Sequence, residues 1–321
     1  VKESRVFLPS CMAASTLAIS SFLMTPSSMA SESADVRFSV PPWPGVTVKT
    51  AVVSTLLDNL GYQTSQQEVS VAITYEALRL GDVDVFLAGW LPNQQSIYDK
   101  HVERGTLLDI GSNVEGGRIG LAVPRYVAEA GVTSTEDLDA DAARFDSRIY
   151  SIEVGSGASD ILHRELDNDT YGLGDWSLSE TSTPGMLSAV EHAIEEQEWV
   201  VFHAWTPHWM NVEYDMVYLD DPQGMWGANG GHTEIRTLLN PAFAESHPNA
   251  RQLLEQLAFT ADDQSAMIRG YSHEGRDPED VAQAWIRQHP ERIQEFVDGV
   301  TTREGEPAWP VLQHALDFSD A

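Results

Sequence analysis

From residue 36 the sequence alternates short apolar runs with longer stretches whose apolar residues recur at helical spacing. No other feature constrains the fold as strongly. A parallel strand pair needs a long crossover, and a helix supplies it, so such alternation predicts α/β units with mainly parallel sheets. Residues 36–40 read as a strand, and 48–62 as a helix closed by Gly61. Residues 67–73 read as a strand, 74–82 as a short helix and 83–90 as a buried strand, with a helix from about Gln94. Residues 118–127 read as a strand stopped at Pro124. The segment 133–140 starts a helix, with Thr133 or Ser134 as cap and acidic residues in its first turn. A strand over 148–154 runs into the turn "GSGAS", which opens a helix. A helix over 185–198 and a strand over 199–205 follow. After "TEIRTLLN" the pattern is helical almost to the end. Two α/β blocks result, roughly 36–115 and 120–220, with a helical tail. Two lobes with a cleft between them are the simplest arrangement for 321 residues of this kind.

The first thirty residues differ. Lys2 and Arg5 precede a mostly apolar stretch from Met12 to Met24, and "SSMA" then offers small residues at Ser28 and Ala30. This is the layout of a secretory signal, with cleavage expected after Ala30 and a periplasmic mature chain. The only cysteine, Cys11, lies in that segment, so disulfides, thiol catalysis and cysteine metal sites are not expected after cleavage. Acidic residues number 49 against 19 basic ones, for a formal charge of −30. Such a surface repels nucleic acid and anionic lipid. It fits a protein kept soluble in high external salt, where screening weakens self-repulsion.

Three tryptophans share one setting. Trp43, Trp90 and Trp205 each end a strand-like run, and Pro44, Pro92 and Pro207 follow within two residues. Ligands of open α/β sheets bind outside the carboxyl ends of the strands. One such ring can simply pack under a loop. Three, spread over both blocks, point to an aromatic cage. Indole faces attract a quaternary ammonium through the ring quadrupole, by about 0.5–2 kcal/mol per ring. In "GSGAS", Gly155 and Gly157 permit close backbone approach, and the helix that follows presents free N–H groups to an anion. Indoles for a cation and amides for an anion together describe a zwitterion such as a betaine.

The chain resembles the substrate-binding proteins of glycine betaine and choline ABC importers. The likeness is carried by "DVDVFLAGWLPN", "DIGSNVEGGRIGLAVPRYV", "YSIEVGSGAS", "DWSLSETSTPGML" and "AWTPHWMNVEYDMVYLDDP". It implies a two-lobed periplasmic binding protein fold of type II-like form, each lobe a mainly parallel sheet flanked by helices, with the ligand in the interlobe cleft. Lobe 1 is expected at 36–117 and 233–321, and lobe 2 at 118–232. The resemblance places Trp43, Trp90 and Trp205 on cage positions, and the turn at Gly157 and Ala158 on the carboxylate. It implies a monomer that hands its solute to ABC permease and ATPase subunits, with no cofactor, no metal and no enzymatic activity. Some betaine-binding relatives carry a carboxylate-binding histidine where this chain has Gln95, which still donates a hydrogen bond. Choline-binding relatives carry an aspartate at Gly45, a cage tyrosine at Ile119 and an asparagine at Ser156. Those departures favour glycine betaine over choline, with dimethylsulfoniopropionate, trimethylamine N-oxide and carnitine as further ligands to test.

His203 lies near the cage and is a candidate for touching a ligand carboxylate. His203, His208 and His232 match no compact zinc spacing, and His208 in "WTPHWM" reads as structural. The chain shows no nucleophile elbow, phosphate-binding lysine loop or H-E-x-x-H. A sensor subunit built on the same trap, and a secreted hydrolase of choline esters, are the competing functions.

Overall fold

A computed structural model describes Val1, residues 35–227 and residues 229–318. The expected leader, Cys11 included, lies outside the described residues apart from Val1. Ten strands, all within the unit Glu32–Ala321, form one sheet among the described residues. They are β1 (Asp35–Ser39), β2 (Gln63–Gln67), β3 (Val85–Leu91), β4 (Leu108–Pro124), β5 (Arg148–Ser151), β6 (Ser177–Glu180), β7 (Val201–Thr206), β8 (Met216–Tyr218), β9 (His232–Leu239) and β10 (Phe259–Thr260). The order is β2-β1-β3-β9-β4-β7-β5-β6, and β8 and β10 pair with β4. At one side β2, β1 and β3 run parallel, and at the other β7, β5 and β6 do the same. Between them β9 and β4 are antiparallel to each other, to β3 and to β7. The α/β halves expected from the alternation are therefore joined through a shared antiparallel seam rather than standing as separate sheets.

The inner strands of each half are apolar and buried over most of their length. Val85, Phe86, Leu87 and Ala88 are buried, as are Val201, Phe202 and Ala204. Such runs belong to parallel sheets covered on both faces. The helix Pro44–Asn59 follows β1, with Pro44 in its first turn and Trp43 at its N-cap in extended conformation. It is buried on nearly every side. The helix Gly157–Asp167 follows β5, and its N-cap Ser156 accepts the Ser159 N–H at 3.1 Å.

Several local expectations change. The run 67–73 is not a strand. Its "VAI" opens the helix Val71–Leu80 behind Ser70, and the buried Val71, Thr74, Tyr75 and Leu78 recur at helical spacing. The strand lies just before it, at the polar "QTSQQ" of β2. This is an edge strand with one neighbour and mostly exposed side chains, so it carries no apolar signal. The segment 133–140 forms two 3-10 turns rather than an α-helix, and Ser134 caps the first in a reciprocal box with Asp137. β4 begins ten residues before the expected strand, at Leu108. Register shifts against β9 and glycines at 111, 116 and 117 break its alternation.

Candidate ligand-binding site

Trp90 stands near the carboxyl end of β3, and Trp205 near that of β7. Trp43 lies four residues past β1. The three thus come from corresponding places in the two parallel halves. Cross-strand register sets an aliphatic neighbour beside two of them: Trp90 pairs with Ile235 and Trp205 with Ile119. All five residues line one pocket. The space open to the centre of a water molecule inside it is about 60 Å³, room for a small molecule. The peptide bonds Leu91–Pro92 and Thr206–Pro207 are cis.

Ser156, Gly157, Ala158 and His203 line the same pocket. Gln95 does not. Its exposed amide donates to Asp99 Oδ1 at 2.6 Å on its own helix. The neighbouring Gln94 faces the pocket instead. Gln94 is 3% exposed, accepts the Tyr75 hydroxyl at 3.0 Å and donates to the Ala88 carbonyl at 3.1 Å. The helix start at Gln95 turns position 95 outward, which residue spacing from Trp90 alone does not reveal.

Two helix N-termini border the pocket. Gly45 and Val46 lie in the first turn of Pro44–Asn59, and Gly157 and Ala158 in that of Gly157–Asp167. First-turn N–H groups have no intrahelical acceptor and carry the positive end of the helix dipole. Among the described residues no Asp or Glu lines the pocket, and the lining groups that titrate are Lys49 and His203. Lys49 is 1% exposed, and burial alone pulls its ammonium down to about 7. Its sequence signal is weak. The available signal was a single cation in the helix "PGVTVKTAVVSTLL", which has no polar face to hold it.

His203 stacks between Trp205 and Trp226, with ring centroids at 5.3 and 5.1 Å. Its Nδ1 is buried without a partner. His208 packs edge-on to Trp205 at 4.9 Å, and its Nδ1 accepts the Met210 N–H at 3.2 Å. His232 is exposed at the start of β9. Among the described residues no three His, Cys, Asp or Glu side chains are grouped to hold a metal.

Burial pushes both His203 and His208 down to about 3. The unfolded chain then binds protons that the folded chain refuses, so the stability these two histidines contribute is full above about pH 6.5 and is lost as pH drops toward 3. Urea midpoints are expected to decline between pH 6.5 and 4.5, before carboxylates titrate. His208→Asn keeps an acceptor for the Met210 N–H without titrating, and should flatten that decline. An unchanged pH slope in the variant would show that His208 does not set it.

The two halves touch across the pocket. The Trp43 indole N–H donates to the Glu153 carboxylate, which follows β5. A Cβ on Gly157 would sit 2.7 Å from the Asn93 carbonyl oxygen, just beyond β3. Away from the pocket lining, Trp209 Nε1 donates to Ser272 Oγ at 2.8 Å, and Arg269 pairs with Glu213 at 3.0 Å. Trp43 therefore offers its ring to the pocket and its N–H to the opposite half.

Residues 34–288 match the substrate-binding domain of ABC-type glycine betaine transport systems. The chain belongs to this family. A choline-binding ABC-transporter protein solved with choline is 30% identical and covers 88% of this chain and 98% of its own, at a TM-score of 0.85. Lactococcal OpuAC, solved closed on glycine betaine, is 26% identical over 82% of this chain and 98% of its own, at a TM-score of 0.75. The glycine betaine/carnitine transport binding protein GbuC of Listeria monocytogenes is 32% identical over 155 residues, 48% of this chain and 50% of that protein. The matched segment thus spans half the length of GbuC. The family members are transport binding proteins with the two-lobed periplasmic binding fold, and the sheet with its two parallel halves is that fold here.

Proposed function

We propose that this chain captures glycine betaine in its tryptophan pocket and delivers it, as a periplasmic monomer without catalytic activity, to an ABC permease and its ATPase. The observation that carries this reading is the pocket's composition: three indoles from both halves of the sheet and no lining Asp or Glu. Trp43, Trp90 and Trp205 hold the trimethylammonium by cation–π attraction. The N–H groups at Gly157 and Ala158 face the carboxylate, with His203 and Ser156 beside them. Gln95 takes no part in this reading. The lobes meet where β4 and β9 cross, between Gly117 and Arg118 and between His232 and Thr233. Support comes from the register there, Gly117 opposite Thr233 and Arg118 opposite His232. A Cβ on Gly117 would lie 2.5 Å from the Thr233 carbonyl oxygen, so the seam is packed backbone to backbone.

Choline is the second reading, favoured by the likeness to the choline-bound protein. Gly45, Ile119 and Ser156 count against it, since they leave a hydroxyl with no carboxylate acceptor in the lining. Calorimetric titration with glycine betaine, choline, carnitine, dimethylsulfoniopropionate and trimethylamine N-oxide decides. Glycine betaine is expected to bind at least roughly tenfold more tightly than choline, because charge-assisted bonds are stronger than neutral ones. Tighter choline would reverse the assignment. Recovery of altered ligand after long incubation would contradict a purely binding role.

A further inference from the structure

Lys49 is a buried amine held with some care. It lies one helical turn after Gly45 on Pro44–Asn59 and lines the pocket. Its Nζ donates to Asn113 Oδ1. Asn113 cannot turn its amide round, because its Nδ2 donates to the Leu87 carbonyl at 3.1 Å and to Thr237 Oγ1 at 2.9 Å. Strands β3, β4 and β9 thus fix an oxygen under the ammonium. That one neutral acceptor satisfies one of three donors, and among the described residues no carboxylate pairs with Lys49. Gln264 is 2% exposed, lines the same pocket, and has an Nε2 with no partner. A Cβ on Gly45 would stand 3.6 Å from Gln264 Oε1, so the missing side chain at 45 opens the space beside this amide.

A buried ammonium with no carboxylate partner and a buried amide N–H with no acceptor, lining one pocket, are costly unless an anion completes them. We infer that Lys49, with Gln264 as second donor, recognises the anionic end of a zwitterionic ligand and so selects betaines against net-cationic amines. This rests on the proposed reading of the pocket as a quaternary ammonium site. A carboxylate there pairs with the ammonium while the indoles hold the other end of the ligand. Choline brings its positive charge into a pocket that already contains one, and offers Lys49 only a hydroxyl. The N–H groups at Gly157 and Ala158 lie on the opposite half, so they add to this contact when the halves close and do not replace it.

The test is calorimetric titration of the full chain with glycine betaine and with choline, at pH 6 and one salt concentration, for wild type, Lys49→Met and Gln264→Leu. Lys49→Met is expected to weaken glycine betaine roughly 10–100-fold while changing choline by less than about threefold, or tightening it. Gln264→Leu should weaken glycine betaine about 3–10-fold with little effect on choline. Thermal unfolding checks that each variant folds. Should Lys49→Met not fold, Lys49→Gln and Gln264→Leu carry the same comparison. Equal losses for both ligands in the folded variants, or unchanged glycine betaine affinity, overturn the inference and leave the pocket reading standing. Wild type that binds neither ligand overturns both.

Discussion

Trp90→Ala is expected to weaken glycine betaine by about 1–3 kcal/mol, roughly 5–150-fold, through lost cation–π attraction and lost apolar contact. Trp90 is the cleanest of the three to replace, since its ring is only half-buried and donates no hydrogen bond among those described. Trp205→Ala should cost a similar affinity and lower stability as well. Trp205 is 9% exposed and packs on both His203 and His208, so truncation leaves a cavity. Phe at either position keeps a ring face and should retain part of the affinity. Trp43 is a mixed case: Trp43→Phe keeps a ring but loses the donor to Glu153. Titration of Trp90→Ala and Trp205→Ala at one salt concentration checks the cage. Wild-type affinity in both would remove it.

Gly157→Val should abolish closure rather than change ligand preference. The Cβ it adds would meet the Asn93 carbonyl oxygen at 2.7 Å and the Asn93 carbonyl carbon and Cβ at 2.9 Å. These are backbone and near-backbone atoms, which cannot swing aside as a side-chain tip can. Asn93 and Gly157 belong to opposite halves of the sheet, so the chain relieves the overlap by keeping the halves apart. Overpacking of this kind costs about 1–3 kcal/mol, and that cost falls on the closed state. Glycine betaine and choline should both weaken roughly tenfold or more. Thermal stability without ligand should change little. Small-angle scattering should show compaction with glycine betaine in wild type and none in the variant. If Gly157→Val binds choline normally and loses only glycine betaine, then the added side chain meets the ligand's carboxylate end and not Asn93.

The alternation of apolar runs determined the α/β class, the two halves and the strand ends on which Trp90 and Trp205 stand. These are local signals: a buried parallel strand must be apolar throughout, and a helix must show its period. The polar edge strand β2 and the 17-residue β4 carried no such signal, because an edge strand is not buried and bulges break alternation. Ser156, Gly157 and Ala158, named from the family motifs, and His203, named for its closeness to Trp205, line the same pocket as the tryptophans, while Gln95 turns out of it. Only the tertiary structure decided that Gln94 faces inward and that Gly157 makes room for Asn93. It alone brought Lys49 and Gln264, 215 residues apart in sequence, to the lining of one pocket. Periodicity reports which face of an element is buried; it does not report whether a buried polar group has found a partner, since that partner comes from another part of the chain.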